Sequence, residues 1–248
     1  GGHATRLHPV TQAVNKHLLP IFDKPMIFYS LSILMLTKIK AVAIVCNEND
    51  VPLFSRFFGD GSSYGMEISY IIQKEALGIA NAIDISSNFI DNQSLAVILG
   101  DNIFYGSALT PKLLIAKQRA KGATIFCNEV KDPERFGVVE LDETSKVISI
   151  EEKPKYPKSN YAVTGLYFYD DQISEIASNV QFSDRGEKEI TSINNAYLGA
   201  GEMYTEILGR GNTWLDTGTP ESMLEASQFV ASTQKNQGFQ IACLEEIA

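Results

Sequence analysis

The run Ser94-Leu95-Ala96-Val97-Ile98-Leu99, which stops at Gly100-Asp101-Asn102, decides the fold class. A short, continuous apolar stretch is typical of a β-strand that is covered on both faces. Ala41-Val42-Ala43-Ile44-Val45-Cys46 is a second strand of this kind. Around these two we expect helices at 26–38, 51–58, 78–89 and 109–120, and strands at 67–72 and 123–130. This alternation predicts an α/β fold with a mostly parallel sheet and helices on both faces.

The pattern changes after Lys131-Asp132-Pro133. Strand-like runs with polar turns between them are expected at 136–141, 146–150 and 161–169. They predict an antiparallel addition to the parallel core. Helices at 171–178 and 189–198 and strands at 203–208 and 214–218 should follow. Thr219 and Pro220 suit the cap and the first position of a last helix.

Composition excludes several classes of protein. The 248 residues, 44% of them hydrophobic, are enough for one α/β domain with a large core. A formal net charge of −9 argues against a general nucleic-acid or membrane-surface binder. The three cysteines are far apart and have no metal-site spacing, which favours a reducing compartment. With no signal peptide and no apolar run of membrane-spanning length, we expect a cytoplasmic protein.

The first residues carry phosphate-binding chemistry without apolar periodicity. Gly1 and Gly2 permit close backbone approach to an anion, and Thr5 adds a hydroxyl donor. Arg6 contributes a planar cation and Lys16 a point charge. The stretch favours a cradle for a triphosphate, and the alternative is an ordinary turn that carries two solvated cations.

Two aspartates stand at the ends of apolar segments. Asp101 follows the strand quoted first, and Asp216 lies between Leu215 and Thr217-Gly218. Open α/β sheets bind ligands at the carboxyl ends of their strands, so the two carboxylates could share one Mg²⁺ that also binds substrate phosphates. The alternative is that each aspartate caps a turn.

A third candidate lies in Ile148-Ser149-Ile150-Glu151-Glu152-Lys153-Pro154. A carboxylate such as Glu152 could accept hydrogen bonds from sugar hydroxyls, and Lys153 could reach a sugar phosphate. A solvated strand end explains the spacing equally well. The chain lacks the glycine motifs of P-loop NTPases, dinucleotide-binding dehydrogenases and serine esterases, so these classes are not expected.

Taken together, these stretches resemble the sugar-1-phosphate nucleotidyltransferases along essentially the whole chain. The resemblance is greatest to the members that make dTDP-glucose. It rests on Gly1-Gly2-x-x-Thr5-Arg6-Leu7, Lys16-x-Leu18-Leu19-Pro20, Asp23-Lys24-Pro25-Met26, 99–106, 132–139, Glu151-Glu152-Lys153-Pro154, 161–170 and Trp214-Leu215-Asp216-Thr217-Gly218-Thr219.

The resemblance implies a Rossmann-like three-layer α/β/α nucleotidyltransferase fold with a mixed, mostly parallel sheet. It implies transfer of a thymidylyl group from dTTP to glucose 1-phosphate, the first step of dTDP-rhamnose synthesis. Mg²⁺ would be held by Asp101 and Asp216. The nucleotide would contact Gly1, Gly2, Thr5, Arg6, Lys16, Gln73, Gly78 and Asp101. The sugar phosphate would contact Asn102, Gly137, Glu152, Lys153 and Val163, and the catalytic groups would be Arg6, Lys16, Asp101, Lys153 and Asp216.

The resemblance also implies a homotetramer, with dTDP-rhamnose as a possible feedback ligand. We expect one domain over 1–248, with a nucleotide-binding part at about 1–130 and a sugar-binding part at about 131–220. Related enzymes begin with an apolar strand and continue helically at the C-terminal end, and neither segment is evident in this sequence.

Two departures from the family pattern leave alternatives open. Ala4 stands where the family has glycine, and its methyl group could obstruct a left-handed backbone. The run after Gln73 is Lys74-Glu75-Ala76-Leu77 in place of a proline-rich segment. The alternatives are a non-catalytic paralogue that binds nucleotide sugars, and the same chemistry with UTP.

Overall fold

The structure is a computed structural model that describes residues 4–248. The chain packs as two compact units. The first consists of residues 4–74, 98–106 and 213–248. The second consists of residues 75–97 and 107–212.

The strands follow the predicted positions closely. They are β1 Pro20–Ile21, β2 Lys24–Pro25, β3 Ala41–Cys46, β4 Glu67–Ile72, β5 Leu95–Ile98, β6 Asn102–Gly106, β7 Ala123–Glu129, β8 Gly137–Leu141, β9 Val147–Glu152, β10 Tyr161–Tyr169, β11 Met203–Ile207 and β12 Asn212–Asp216. The sequence did not indicate β1, β2 or β6.

The helices alternate with these strands. They are α1 Ile27–Leu36, α2 Val51–Phe58, α3 Ile79–Asp84, α4 Ser87–Ile90, α5 Leu109–Gln118, α6 Ile173–Asn179, α7 Ile190–Gly199, α8 Pro220–Gln237 and α9 Leu244–Ile247. Within residues 4–248, no helix combines the length and the apolar character needed to cross a membrane.

In the first unit, β3 and β4 pair in parallel from Ala41 opposite Glu67 to Cys46 opposite Ile72. Strands β6 and β12 pair with each other. Helix α1 is buried along most of its length, as its nearly continuous apolar sequence predicts. Residues of α1, β6 and α8 form one hydrophobic cluster, in which Met26, Ile103 and Val230 are fully buried.

The sheet of the second unit is mixed. Strands β11, β7, β10, β8 and β9 lie side by side in that order, and β5 also pairs with β10. Strand β11 runs parallel to β7, whereas β10 is antiparallel to both β7 and β8, and β8 is antiparallel to β9. The α/β class and the antiparallel pairing of β8, β9 and β10 are therefore confirmed.

Two local predictions need correction. The helix expected at 26–38 is shorter, Ile27–Leu36, and Pro25 before it lies in β2 and pairs with Pro20. The helix expected at 78–89 is interrupted between α3 and α4, where the Ser86 hydroxyl donates a 2.6 Å hydrogen bond to the Ala82 carbonyl. Serine side chains that bond the backbone in this way compete with regular helix geometry.

Candidate active site

Asp101 and Asp216 belong to neighbouring points of the first unit. Asp101 immediately precedes β6, and Asp216 is the last residue of its partner strand β12. The fully buried Thr217 donates two hydrogen bonds to the Asp101 carbonyl, one from its amide at 3.0 Å and one from its hydroxyl at 2.7 Å. The backbone thus joins the segments that carry the two acids, although they are far apart in the sequence.

The guanidinium of Arg6 reaches the same segment. A Cβ atom added at Gly218 would lie 2.9 Å from Nη2 of Arg6 and 3.4 Å from Oδ1 of Asp216. Arg6 therefore packs against a backbone position where a side chain would push it away. A cation from the N-terminal loop and an acid from β12 line one small region.

Lys16 joins this group through Asp101. Its ammonium bonds directly to Oδ2 of Asp101, and the Asn102 carboxamide donates to Oδ1 at 3.0 Å. Burial acts to raise the pKa of Asp101, but the Lys16 charge, aided by hydrogen bonds, outweighs it and holds this pKa below its ordinary value. Asp101 is consequently an anion at neutral pH.

The chemistry of the two acids suits a hard divalent cation. Carboxylate oxygens are the ligands that Mg²⁺ prefers, and this ion usually takes only one or two carboxylates and completes its shell with phosphate and water. Across residues 4–248 no group of three or more histidine, cysteine or acidic side chains could hold a metal ion. Asp101 and Asp216 are therefore candidate ligands for a cation that takes its remaining ligands from outside the protein.

Two side chains beside these acids were not predicted as site residues. The indole of Trp214 donates a 2.6 Å hydrogen bond to Oδ1 of the buried Asn102. The imidazole of His17 lies so close to Gly100 that an added Cβ atom there would be 2.9 Å from its Cδ2. Burial, with help from the Lys16 charge, lowers the pKa of His17 to about 4, so the ring is neutral at pH 7.

The N-terminal loop is ordered by its own hydrogen bonds over the residues described. Ala4 has a left-handed backbone with φ of 48°, and its carbonyl accepts hydrogen bonds from the Leu7 amide at 3.0 Å and the Thr11 hydroxyl at 2.9 Å. Thr5 begins the short turn Thr5–Leu7. The predicted phosphate contacts Gly1 and Gly2 lie outside the described residues.

Three of the predicted sugar-binding residues meet in the second unit. Gly137 and Glu152 are direct partners in the β8–β9 register. A Cβ atom added at Gly137 would lie 3.5 Å from Oε2 of Glu152, 3.6 Å from the Thr191 hydroxyl and 3.8 Å from the Cβ atom of Val163. The Thr191 hydroxyl donates a 2.6 Å hydrogen bond to Glu152. Thr191, which sequence reasoning missed, therefore orients the carboxylate.

Positive charge surrounds Glu152. The half-exposed ammonium of Lys153 lies 3.5 Å from Oε1, and Nη2 of Arg185 lies 3.8 Å from the same oxygen. Arg185 is anchored at 2.8 Å by Glu189. Lys153 has a left-handed backbone with φ of 44°, and its amide donates to the Phe136 carbonyl at 2.9 Å. In such a group the carboxylate can accept hydrogen bonds from sugar hydroxyls, and the two cations can bind a phosphate.

Gln73 and Gly78 are the residues predicted to bind the base, and they belong to the first and the second unit, respectively. Gln73 is buried just after β4, and its amide donates to the Cys46 carbonyl at 2.8 Å. Gly78 has φ of 96°, and an added Cβ atom would lie 2.3 Å from the Lys188 carbonyl oxygen, so only glycine fits. Their role in binding the base stays a prediction.

Comparison with known proteins decides the family. The family model described as nucleotidyl transferase matches residues 1–233. This chain belongs to the nucleotidyl transferase family. As a nucleotidyltransferase it is an enzyme, and its fold class is confirmed by the same match.

Two curated relatives of this nucleotidyltransferase carry the same name. A glucose-1-phosphate thymidylyltransferase of Neisseria meningitidis is 51% identical over 248 residues, which cover 100% of this chain and 86% of the relative. Its namesake from Xanthomonas campestris is 49% identical, with 100% and 84% covered.

Solved structures agree with the family assignment. A protein from Bacillus anthracis, provisionally named glucose-1-phosphate thymidylyltransferase and solved with sucrose, has a TM-score of 0.85 at 38% identity and covers 92% of each chain. A UDP-glucose pyrophosphorylase in complex with UDP-glucose has a TM-score of 0.79 at 26% identity, over 94% of this nucleotidyltransferase and 96% of that chain.

Proposed function

We propose that this nucleotidyltransferase transfers a thymidylyl group from dTTP to glucose 1-phosphate and releases pyrophosphate. The observation that carries the proposal is the grouping of Arg6, Lys16, Asp101 and Asp216 in one unit, joined by the hydrogen bonds from Thr217 to Asp101. The names of relatives that are about 50% identical over the full chain support the choice of substrates.

The reaction requires positioning more than proton transfer. A phosphate oxygen of glucose 1-phosphate attacks the α-phosphorus of dTTP, a new P–O bond forms, and the bond to pyrophosphate breaks in line. The second pKa of a phosphate monoester is about 6, so the nucleophile is already deprotonated at neutral pH and no general base is needed. The chain's contribution is therefore orientation and stabilisation of charge.

The cationic side chains have separate roles in this proposal. Arg6 stabilises the charge that develops on the departing pyrophosphate, and Lys16 binds the triphosphate. Lys153, with Arg185 beside it, binds the phosphate of the sugar substrate.

Glu152, held by Thr191 and adjacent to Gly137 and Val163, accepts hydrogen bonds from glucose hydroxyls, and Asn102 contributes a further sugar contact.

The divalent metal of the reaction is proposed to be Mg²⁺, held by Asp101 and Asp216. When bound, it offsets the repulsion between two anionic substrates and polarises the α-phosphate. Because Lys16 bonds to Asp101, this carboxylate would serve both the ammonium and Mg²⁺, and a bound triphosphate would supply further negative charge for the two cations.

Further proposals follow from the family resemblance alone. They are a cytoplasmic location, a homotetramer, feedback by dTDP-rhamnose, and a division into a nucleotide-binding part at about 1–130 and a sugar-binding part at about 131–220. Sedimentation equilibrium tests the assembly, and turnover measured with and without dTDP-rhamnose tests the feedback. We expect a tetramer whose turnover falls when this ligand is added.

Competition between dTTP and UTP tests the reaction itself. Purified protein is given both nucleotides with Mg²⁺ and glucose 1-phosphate, and the sugar nucleotides formed are separated and quantified. We expect dTDP-glucose as the main product. UDP-glucose as the main product would keep the chemistry and change the base, and binding of a nucleotide sugar without any pyrophosphate exchange would indicate a non-catalytic paralogue.

A further inference from the structure

The turn that carries Lys16 is capped by its neighbour. Lys16–Leu18 form a single turn, and the side-chain oxygen of Asn15 accepts a 2.9 Å hydrogen bond from the His17 amide. A lysine side chain has four rotatable carbons, so the position of its ammonium depends on the backbone from which it starts. The cap on this turn therefore affects where the Lys16 charge can be placed.

The cap is itself held by a buried carboxylate. The carboxamide nitrogen of Asn15 donates a 2.6 Å hydrogen bond to Oδ2 of Asp50, which is 8% exposed and lies just before α2. The carboxamide nitrogen of Asn47 donates to the same oxygen, and the Asn47 side-chain oxygen accepts from the Asp50 amide at 3.1 Å. Asp50 thus joins the Lys16 turn to the segment that follows β3.

Donor and acceptor chemistry fixes how the side-chain amides of the two asparagines are oriented around Asp50. A carboxylate only accepts hydrogen bonds, so both asparagines must turn their NH₂ groups toward Asp50. The oxygen of Asn15 is then left facing the His17 amide, which is the orientation the cap requires. Asp50 accordingly selects the one orientation of the Asn15 amide that closes the Lys16 turn.

We propose that Asp50 and Asn15 are positioning residues for Lys16 in the nucleotidyl transfer reaction. The inference rests on the proposed function, in which Lys16 binds the triphosphate. Asp50 and Asn15 act through the turn and do not contact the nucleotide. Loss of either should therefore weaken the use of dTTP and leave glucose 1-phosphate binding unchanged.

Asn15→Ser is the most direct variant. Serine can still cap the turn, but its shorter side chain cannot reach Asp50. We expect kcat/KM for dTTP to fall about tenfold, the order of loss produced by small misplacements of a binding group, while KM for glucose 1-phosphate stays within about twofold. Asn47→Ser is the matched control, because it removes the other amide on Asp50 and should change kcat/KM less than about twofold.

Asp50 is tested by two replacements of different severity. Asp50→Ala removes the acceptor and should reproduce the loss seen in Asn15→Ser. Asp50→Asn keeps one oxygen of the same shape, which can still accept from Asn15, so it should recover kcat/KM to within about threefold of the wild type. Equal losses in both variants, with unchanged thermal unfolding, would contradict the role assigned to this acceptor.

A double-mutant cycle with Lys16→Ala separates positioning from general stability. If Asn15 acts through Lys16, Asn15→Ser should cause no further loss in the Lys16→Ala background. Losses that multiply in the double variant, or an Asn15→Ser enzyme that uses dTTP as the wild type does, would overturn the proposal. The same cycle is measured as dTTP affinity through the fluorescence of Trp214, the chain's only tryptophan. A wild type without turnover would then refute the proposed function, and this binding cycle would still decide the positioning role.

Discussion

Thr217 donates both its amide and its hydroxyl to the main-chain oxygen of Asp101, at 3.0 Å and 2.7 Å. This pair of hydrogen bonds fixes the start of β6 against the end of β12. Because Asp216 directly precedes Thr217, the same contact fixes the backbone from which the Asp216 side chain extends. The placement of the two acids relative to each other thus depends on the fully buried Thr217.

Thr217→Val tests this dependence. Valine keeps the shape of the side chain and the hydrogen bond from the backbone amide, but it lacks the hydroxyl. We expect the unfolding free energy to fall by about 1 kcal/mol and the half-saturating Mg²⁺ concentration to rise roughly tenfold. Urea unfolding and metal-titrated pyrophosphate release measure the two effects.

The control is Thr205→Val, because the buried Thr205 hydroxyl has no hydrogen-bond partner within the described part of the chain. That variant should be as stable as the wild type or more so, with an unchanged metal titration. Identical metal titrations for Thr217→Val and wild type would show that the hydroxyl does not determine the placement of Asp101 and Asp216.

Ala4→Gly should stabilise the protein. Ala4 is held at φ of 48°, where a Cβ atom crowds the backbone and glycine does not. We expect a gain of about 0.5–1 kcal/mol in unfolding free energy, or about 1–4 °C in the melting temperature for a chain of this size.

Ala13→Gly supplies the comparison for Ala4→Gly, because Ala13 is exposed in the same loop but has an ordinary φ of −111°. Its melting temperature should stay the same or fall. A rise in both variants, or in neither, would mean that the left-handed backbone at Ala4 carries no measurable strain.

Gly137→Ala should impair use of the sugar without unfolding the protein. The added methyl group would lie at ordinary contact distances of 3.5 and 3.6 Å from Glu152 and Thr191, so the fold can accept it. It would take space that the proposal assigns to glucose, and one extra carbon in a binding site costs about tenfold or more. KM for glucose 1-phosphate should rise by that factor, with KM for dTTP unchanged.

Gly199→Ala is the matched substitution, since an added Cβ atom there meets nothing within 4 Å among the described residues. Steady-state kinetics with each substrate varied in turn makes the comparison. A Gly137→Ala enzyme with the wild-type KM for glucose 1-phosphate would remove Gly137 from the sugar site.

Asp170 gives the stability a defined pH dependence. Burial acts to raise its pKa, but hydrogen bonds from the Gly122 amide at 2.7 Å and the Tyr197 hydroxyl at 2.7 Å, with others from Gln172, hold the pKa below its ordinary value of 3.8. A depressed pKa contributes stability that is present above the ordinary value and lost as the pH falls through the folded-state value.

Asp170→Asn should therefore lower unfolding free energy by about 1–3 kcal/mol at pH 7, and the difference from wild type should shrink below about pH 4. Asp171→Asn, at an exposed neighbouring position, is the control and should show neither effect. A difference that is the same at pH 7 and pH 3 would assign the loss to packing instead of charge. Chemical unfolding at several pH values measures it.

Much of the fold follows from local patterns. The apolar runs at β3 and β4, and the threonine and proline that begin α8, predict their elements because the signal lies within a few consecutive residues. Strand β6 was missed because it begins directly after the turn at Asp101 and its sequence has no periodic signal. Neither compact unit is one continuous segment, and such an arrangement has no local signature in the sequence.

The site divides along the same line. Asp101 and Asp216 could be picked out as candidate ligands, because each stands at the end of an apolar segment, and their role stays a prediction. Thr191 could not be picked out, because its hydroxyl matters only through the hydrogen bond from helix α7 to Glu152 on strand β9. His17 could not be picked out either, because the packing of its ring against Gly100 and the burial that keeps it neutral at pH 7 arise only in the fold.

The central claim is that Asp101 and Asp216 hold one divalent cation for the reaction. Its most direct test is pyrophosphate release from dTTP and glucose 1-phosphate, measured against Mg²⁺ concentration for wild type, Asp101→Asn and Asp216→Asn. We predict metal-dependent release by the wild type and a loss of at least about 100-fold in kcat/KM in each variant, with a higher half-saturating Mg²⁺ concentration. Either variant showing the wild-type dependence on Mg²⁺ would contradict the account.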